Sequence, residues 1–347
     1  MKNILVIFGG CSSEYGVSLQ SAAGVLNAMD REKYNPVMLG ITKEGGWYHY
    51  TGSVEDISAD RWLQNGRCIP LMLSPRREGR RLILRRGERL EGIEIDAAFP
   101  VLHGKNGEDG TVQGMLELLD IPVAGCGTLS SALCMDKDRA HKLAALAGAA
   151  VPRSVLLEGE FGRETAKKAA RDMGYPLFVK PVKAGSSYGV SRVERESELD
   201  KALSLAFAHD RRVLMEQTIP GRELGCAVMG NRELICGEPD EIELSGGFFD
   251  FREKYDLISA RIHVPARIAP EKAEEVKDLA KRIYRALDCR GFARVDMFLQ
   301  PDGQLVFNEV NTIPGFTEHS RFPGMMRAAG MNLSQVIDRA IELAVEP

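Results

Sequence analysis

The 347-residue sequence lacks the features that mark secreted, cysteine-ligated and membrane proteins. Its seven cysteines are scattered and none lies in a C-x-x-C pair, so neither a zinc site nor a disulfide framework is indicated. No apolar run approaches the length of a membrane span, and the apolar stretch from Ile4 to Phe8 precedes no small-residue cleavage site. We therefore expect reduced thiols, a cytoplasmic location and no membrane contact.

The chain also lacks a strong charge of either sign. The net charge of −4 offers no bulk attraction for nucleic acid or acidic membranes, so we expect neither as a partner. Low-complexity tracts and internal repeats are absent, and the composition is that of a globular protein. A length of 347 residues exceeds what one hydrophobic core usually serves, so more than one subdomain is expected.

Strand and helix patterns alternate along the chain and predict an α/β fold. K-N-I-L-V-I-F-G-G is typical of a strand that enters a glycine turn, and a helical stretch and the strand P-V-M-L-G-I follow it. This order is typical of a parallel sheet. Counting elements, we predict three subdomains at residues 1–127, 128–217 and 218–347.

Known dinucleotide and P-loop patterns are missing or incomplete. F-G-G-C-S-S-E-Y-G lacks the G-x-G pair, and G-C-G-T-L-S-S has Ser where the third glycine belongs. The Walker pattern is absent. An NAD-dependent oxidoreductase that uses G-C-G-T-L-S-S stays open as an alternative.

The stretch F-V-K-P-V-K-A-G-S-S-Y-G is a stronger candidate for binding polyphosphate. Its strand carries Lys180, and the loop after it supplies backbone donors and hydroxyls from Gly185, Ser186, Ser187 and Gly189. Such a loop can fold over phosphates while the lysine adds a point charge. A surface hairpin with a lysine at a strand edge is the alternative, and the pattern alone does not separate the two.

P-D-G between two apolar-rich strands predicts a hairpin with Asp302 and Gly303 as its loop. This register places four polar residues on one face: Asp296 opposite Glu309, and Arg294 opposite Asn311. It places five apolar residues on the other: Val295, Met297, Leu299, Val306 and Val310. Facing carboxylates repel, and oxygen ligands without His or Cys favour Mg²⁺ over Zn²⁺ as the ion between them. A solvated charged face is the alternative.

These motifs, with V-L-H-G-K-N-G-E-D-G, M-D-K and N-E-V-N-T-I-P-G, resemble those of the D-alanine–D-alanine ligases of the ATP-grasp superfamily. They occur in the family's order and span nearly the whole chain. The resemblance implies a Rossmann-like N-terminal subdomain and two ATP-grasp subdomains with ATP between them. It implies that ATP phosphorylates a first D-alanine and that the amine of a second D-amino acid attacks the acyl phosphate. ATP as co-substrate, two Mg²⁺ ions that Mn²⁺ can replace, and a homodimer are further implications.

The resemblance assigns roles to individual residues. Positions that match ATP-binding residues are Lys137, Lys180, Ser186, Ser187, Glu216, Glu223 and Lys254. Positions that match Mg²⁺ ligands are Asp296, Glu309 and Asn311, in agreement with the hairpin. Arg294 and the backbone N–H of Gly315 match the oxyanion stabilisers. Glu14 matches the carboxylate that receives the first substrate's ammonium group, and His103 lies near that substrate.

A lid over the active site is implied at residues 245–262. Ser186 and Tyr255 match residues that link Glu14 to this loop. Family members that make a D-alanine–D-lactate ester lack the tyrosine, so Tyr255 favours an amine nucleophile. Two adjacent glycines and few aliphatic residues are typical of a mobile lid that excludes water from the acyl phosphate.

The positions around the second substrate depart from the D-alanine-adding enzymes. Arg321 follows His319 and Ser320 where those enzymes have an aliphatic residue, and Phe249 stands where they have tyrosine. With Asp240, these substrate-binding candidates resemble the D-alanine–D-serine ligases of vancomycin resistance. A guanidinium suits the serine hydroxyl, which an apolar pocket cannot select. The alternatives are a surface salt bridge in a D-alanine–D-alanine ligase of peptidoglycan synthesis, and a non-catalytic ATP-sensing module.

Overall fold

The computed structural model describes residues 1–74, 79–159, 162–185, 188–244 and 260–346. The strands in these ranges form three sheets, and helices connect and cover them. The α/β class is confirmed. No helix that the structure describes combines the length and apolar composition needed to span a bilayer.

The first sheet contains the N-terminal strands. These are β1 (Lys2–Gly9), β2 (Tyr34–Ile41), β3 (Trp47–Tyr50), β4 (Cys68–Leu73), β5 (Arg81–Arg86), β6 (Arg89–Glu94) and β7 (Ala97–Pro100). Their order across the sheet is β6-β5-β4-β3-β2-β1-β7. The predicted parallel pairing is found between β1 and its neighbours β2 and β7, whereas β3 to β6 extend the sheet with antiparallel pairs.

The other two sheets are antiparallel. The second consists of β8 (Ser154–Glu158), β9 (Leu177–Pro181), β10 (Ser191–Val193) and β11 (Arg212–Gln217), in the order β10-β9-β11-β8. The third consists of β12 (Arg222–Met229), β13 (Ile235–Cys236), β14 (Asp240–Leu244), β15 (Ala260–His263), β16 (Phe292–Leu299) and β17 (Leu305–Asn311). Its order is β15-β14-β12-β16-β17, and β13 pairs with β12. The predicted subdomain boundaries after residues 127 and 217 stay a prediction.

Helices connect the strands of the three sheets. They are α1 (Tyr15–Ala28), α2 (Val54–Ser58), α3 (Thr111–Leu118), α4 (Thr128–Met135), α5 (Lys137–Leu146), α6 (Arg163–Met173), α7 (Glu196–Phe207), α8 (Pro270–Ala286), α9 (Arg321–Ala328) and α10 (Leu333–Val345). Asp136 caps α5 by accepting the Arg139 N–H, and this cap holds Lys137 at the first helical position. A capping box formed by Asn332 and Gln335 starts α10.

The β16–β17 hairpin confirms the predicted pairs of polar residues but not the predicted loop. Asp296 pairs with Glu309 and Arg294 with Asn311. The turn is one residue longer than expected, because the Gln300 N–H donates to the Gln304 carbonyl. A β-bulge then restores the predicted register at the polar end of the hairpin.

The bulge also corrects the predicted apolar face. Phe307 pairs with Met297 and joins the buried cluster that contains Val295 and Val310. Val306, predicted on that face, pairs with Phe298, which lines a cavity on the other side of the sheet.

One hydrophobic core joins the beginning and the end of the chain. It contains residues from β1, β7, α1, α9 and α10. Within it, the Phe316 ring lies 5.4 Å from Phe99 and 5.1 Å from Phe292 in edge-on contacts. Gly24 in α1 lies so close to the Phe316 carbonyl that a Cβ at residue 24 would collide with it. The loop that carries Phe316 is therefore held against the N-terminal sheet.

We expect Phe316→Ala to lower the free energy of unfolding by about 3–5 kcal/mol, because it empties the centre of this cluster. Denaturant unfolding would measure the loss. Leu146→Ala, at a side chain that is 85% exposed, is the control and should change the value by less than about 0.5 kcal/mol. A loss below about 1 kcal/mol for Phe316→Ala would mean that this cluster does not hold the loop.

Candidate active site

Two adjoining cavities lie where the three sheets meet. The first, of about 890 Å³, is lined by β9, β11, the connection from β11 to β12, and the β16–β17 hairpin. The second, of about 640 Å³, is lined by the start of α1, the turn after β7, the same hairpin and the loop that leads into α9. Both cavities are lined by Lys137, Ala184, Glu223 and Glu309, so a group held in one can reach the other.

The first cavity brings together four of the predicted ATP-binding residues: Lys137, Lys180, Glu216 and Glu223. Lys180 on β9 is buried, and its Nζ donates to Glu216 Oε1 on β11 at 2.6 Å. The Lys137 Nζ donates to the Ala184 carbonyl at 2.8 Å and lies 3.8 Å from Glu309 Oε2. Two ammonium groups therefore stand in the part of the molecule where a polyphosphate would need them.

His141 stands behind this cavity and was not predicted. Its Nε2 contacts the Asn308 carbonyl at 2.8 Å, and its Nδ1 lies 3.7 Å from Glu216 Oε2. Burial lowers the pKa of His141, so the ring is neutral at neutral pH and Nε2 carries the proton. The ring bonds to the β17 bulge and packs beside Glu216; its bond to Asn308 spans 167 residues, which the local sequence does not reveal.

Glu14 and His103 both line the second cavity. Both are buried, and a Cβ at Gly104 or Gly185 would lie 2.5 or 2.7 Å from the Glu14 carboxylate. The Gly-rich loop after β9 and the turn after β7 therefore both approach Glu14 closely, and Gly104 also has a positive φ of 73°, which favours glycine. The His103 Nε2 lies 3.2 Å from Ser21 Oγ, and burial lowers the pKa of His103.

The predicted metal-binding residues line the second cavity together. Asp296 is buried and accepts from Arg294 Nε at 2.8 Å and Nη2 at 2.7 Å, and from Asn311 Nδ2 at 2.8 Å. Among the described residues no group of three or more His, Cys, Asp or Glu could hold a metal. The predicted set differs from such a group, because it consists of the two carboxylates of Asp296 and Glu309 and the amide of Asn311. Oxygen donors of this kind fit Mg²⁺.

Arg321 lies at the start of α9, and its side chain is 9% exposed. Its Nε and Nη2 each donate to an Asp240 carboxylate oxygen at 2.7 Å, and its Nη1 lies 3.5 Å from Glu223 Oε1. Burial opposes the charge of Arg321, but Asp240 and Asp296 outweigh it and raise the pKa of the guanidinium. This is not a surface salt bridge. Asp240, predicted to contact the substrate, lies fully buried behind Arg321 and does not line either cavity.

Gly315 and Ser320 lie in the loop between β17 and α9, which lines the second cavity. The Ser320 Oγ accepts the Thr317 N–H at 3.1 Å, and a Cβ at Gly315 would lie 2.7 Å from that oxygen. This packing keeps the loop compact. The residues that we predicted elsewhere in the site, and that lie outside the described ranges, are Ser186, Ser187, Phe249, Lys254, Tyr255 and the lid from 245 to 259.

Glu108 is a second residue of the site that we did not predict. It lines the second cavity, where its Oε2 accepts the Gly104 N–H at 2.7 Å and its Oε1 accepts the Ile313 N–H at 3.4 Å. Burial, with the nearby Glu14 charge, raises the pKa of Glu108 from 4.5 to about 8. The G-E-D-G turn was visible in the sequence, but the partner segment is 205 residues away.

This shift predicts a pH-dependent stability. The folded state keeps a proton on Glu108 that the unfolded chain releases. The contribution of this proton to the free energy of unfolding is therefore complete below pH 4.5 and is lost as the pH rises to 8. Glu108→Gln cannot ionise, and its melting temperature relative to the native protein should rise by several degrees between about pH 5 and pH 8.5. Thermal denaturation across this range would test it. A constant difference would contradict the raised pKa.

Comparisons with known proteins show the family to which the chain is similar. The family model "D-ala D-ala ligase N-terminus" matches residues 3–126, and "D-ala D-ala ligase C-terminus" matches residues 145–342. The chain is 45% identical over 350 residues to the D-alanine–D-alanine ligase of Caldicellulosiruptor bescii, covering 99% of this chain and 95% of the relative. It is 45% identical over 348 residues to the vancomycin B-type resistance protein VanB of Enterococcus faecalis, covering 99% and 98%. The crystal structure of the VanG D-Ala:D-Ser ligase from Enterococcus faecalis is 53% identical, with a TM-score of 0.92 and 99% of each chain covered.

Proposed function

The chain belongs to the D-alanine–D-alanine ligase family of ATP-dependent ligases, and we propose that it joins D-alanine to D-serine. The observation that supports D-serine as the second substrate is the buried, bidentate pair of Arg321 with Asp240 in the wall of the second cavity. The fold, the adjoining cavities and the family agree on ligase chemistry, whereas the second substrate is our proposal.

The reaction proceeds in two steps at the junction of the two cavities. A D-alanine carboxylate oxygen attacks the γ-phosphorus of ATP, so that an O–P bond forms, the bond to ADP breaks, and D-alanyl phosphate results. The amine of D-serine, after losing a proton, attacks the acyl carbon, and the C–O bond to phosphate then breaks. Lys137 and Lys180 are placed to neutralise the phosphates. Asp296, Glu309 and Asn311 would hold Mg²⁺, which would supply charge that neutralises the phosphate oxygens.

The second cavity holds both amino acids. Glu14 receives the ammonium group of the first, and His103 lies beside that substrate as a neutral ring. Arg294 and the Gly315 N–H stabilise the oxyanion of the tetrahedral intermediate. These roles carry over from the family, and the four groups line one cavity, as the roles require.

Selection for D-serine requires a partner for its hydroxyl group, because an apolar pocket discriminates weakly between D-serine and D-alanine. Asp240 occupies the Nε and Nη2 donors of Arg321 and orients the planar guanidinium, whereas Nη1 makes a longer, 3.5 Å contact to Glu223 Oε1. We assign Nη1 as the donor to the serine hydroxyl. Phe249 stays a prediction for the pocket wall.

Similarity alone does not decide the second substrate. The VanG enzyme, a D-Ala:D-Ser ligase, is 53% identical to this chain, and a D-alanine–D-alanine ligase is 45% identical. A D-alanine–D-alanine ligase of peptidoglycan synthesis is therefore the second candidate. If D-serine is used, the dipeptide would alter peptidoglycan precursors so that vancomycin binds them poorly. We propose that the protein acts in the cytoplasm and as a homodimer. The similarity to VanB supports a role in resistance.

We expect D-serine to change both the rate and the product. In a phosphate-release assay with MgATP near neutral pH, D-alanine alone should react slowly, and D-serine should accelerate the reaction and yield the mixed dipeptide. Removing the divalent cation with EDTA should stop phosphate release, and Mg²⁺ should restore it. An unchanged rate and an unchanged dipeptide product after adding D-serine would leave D-alanine–D-alanine ligation as the function.

Replacing Arg321 should shift the preference for the second substrate from D-serine to D-alanine. We expect Arg321→Leu combined with Asp240→Asn to reduce the ratio of kcat/KM for D-serine to that for D-alanine on the order of a hundredfold or more, since the hydroxyl loses its donor. The single change Arg321→Leu leaves Asp240 buried without its partner, so it should also lower the melting temperature. Arg327→Leu, on the exposed face of the same helix, is the matched control. Intact D-serine preference in the double variant would exclude Arg321 as the selector.

A further inference from the structure

The residue roles proposed for the ligase reaction do not include Glu108, although Glu108 lines the second cavity. We propose that Glu108 is a second carboxylate of the first-substrate site: it shares the D-alanine ammonium group with Glu14 and positions the backbone on both sides of that substrate. This inference rests on the proposed function, because it assumes that D-alanine binds at Glu14.

The first observation is the pair of backbone contacts that Glu108 makes. Its two oxygens accept N–H groups from Gly104, at 2.7 Å, and from Ile313, at 3.4 Å. Gly104 follows His103 in the wall of the first-substrate site, and Ile313 lies two residues before Gly315. One side chain thereby sets the separation between the turn after β7 and the loop that carries the oxyanion donor.

The second observation is the closeness of Glu108 to Glu14. Both residues line the second cavity, and the Gly104 backbone that Glu108 bonds also packs against the Glu14 carboxylate, where a Cβ would lie 2.5 Å from Oε2. Two carboxylates beside one small volume repel each other unless a cation lies between them. An ammonium group with three donors can bond to both.

The third observation is where the nearby cations point. In the same cavity wall, Arg294 donates to Asp296, Arg321 to Asp240, and Lys137 to the Ala184 carbonyl. These bonds direct the three cations toward groups other than Glu108, and burial keeps His103 neutral.

The charge state of Glu108 has the sign that this role requires. Burial, Glu14 and Glu309 raise its pKa to about 8, so Glu108 is largely protonated at neutral pH before substrate arrives. The other titratable or charged groups that line this cavity are Glu14, His103, Cys134, Lys137, Glu223, Arg294, Asp296, Glu309, His319 and Arg321. A substrate ammonium group stabilises the charged form of Glu108. It thereby offsets the burial and the carboxylate repulsion that disfavour this charged form in the empty site.

The test compares Glu108→Gln with Asp109→Asn. Asp109 is the matched control, because it accepts the N–H groups of Asn106 and Thr111 in the same turn but does not line either cavity. We expect Glu108→Gln to raise the KM for the first amino acid about tenfold or more, since a charge-assisted hydrogen bond is lost. The kcat and the KM for MgATP should stay within about twofold. The KM is measured by varying D-alanine at saturating MgATP and D-serine, or with D-alanine at both sites if D-serine is not used.

A purely structural role would give a different result. Glu108→Asp keeps the charge with a shorter reach, so it should recover part of the affinity that Glu108→Gln loses. If both variants lower kcat and raise every KM alike, Glu108 only supports the backbone and the shared ammonium contact is overturned. Melting temperatures at pH 8, where Glu108→Gln should be at least as stable as the native protein, separate lost affinity from misfolding.

The outcomes for this inference and for the proposed function are distinct. If the native protein releases phosphate with D-alanine and the KM of Glu108→Gln is unchanged, the inference fails and the ligase assignment stands. If the native protein releases no phosphate with any D-amino acid, the proposed function fails, and the inference fails with it.

Discussion

The packing of Phe316 against Phe99 and Phe292 is the interaction on which the rest of the site depends. Phe99 belongs to β7, whose following turn carries His103, and Phe316 belongs to the loop that leads into α9. Because one hydrophobic core contains both, residues separated by more than half of the chain form one cavity wall. Core packing tolerates little displacement, so it can hold substrate-binding groups within the tolerance that catalysis requires.

Charge pairs organise the site that this aromatic core holds in place. Lys180 bonds to Glu216, and the guanidinium groups of Arg294 and Arg321 bond to Asp296 and Asp240. Pairs of this kind contribute little net stability, because desolvation offsets most of their attraction. What they supply is orientation: each cation faces its cavity in a fixed direction before any substrate binds. Glu14 and Glu108 differ, because two carboxyl groups adjoin one space that a substrate cation would fill.

The alternation of residue types predicted some features of the β16–β17 hairpin and not others. Alternation correctly paired Asp296 with Glu309, because a strand with one buried face strongly specifies which residues share a side. The loop length was wrong, because P-D-G suits both two-residue and three-residue turns. A bulge compensates for the longer turn and replaces Val306 with Phe307 in the core. Turn chemistry is local, whereas the bulge depends on what packs against each face.

The sequence by itself determined the α/β class, the family and the residue types at the site, because strand periodicity, glycine turns and ordered motifs are local properties. Only the tertiary structure decided that Asp240 orients Arg321, that His141 packs beside Glu216, and that Glu108 bonds to Ile313. These contacts join residues 75 to 205 positions apart along the chain. No local pattern encodes such distances; they follow from how the three sheets and the shared aromatic core pack.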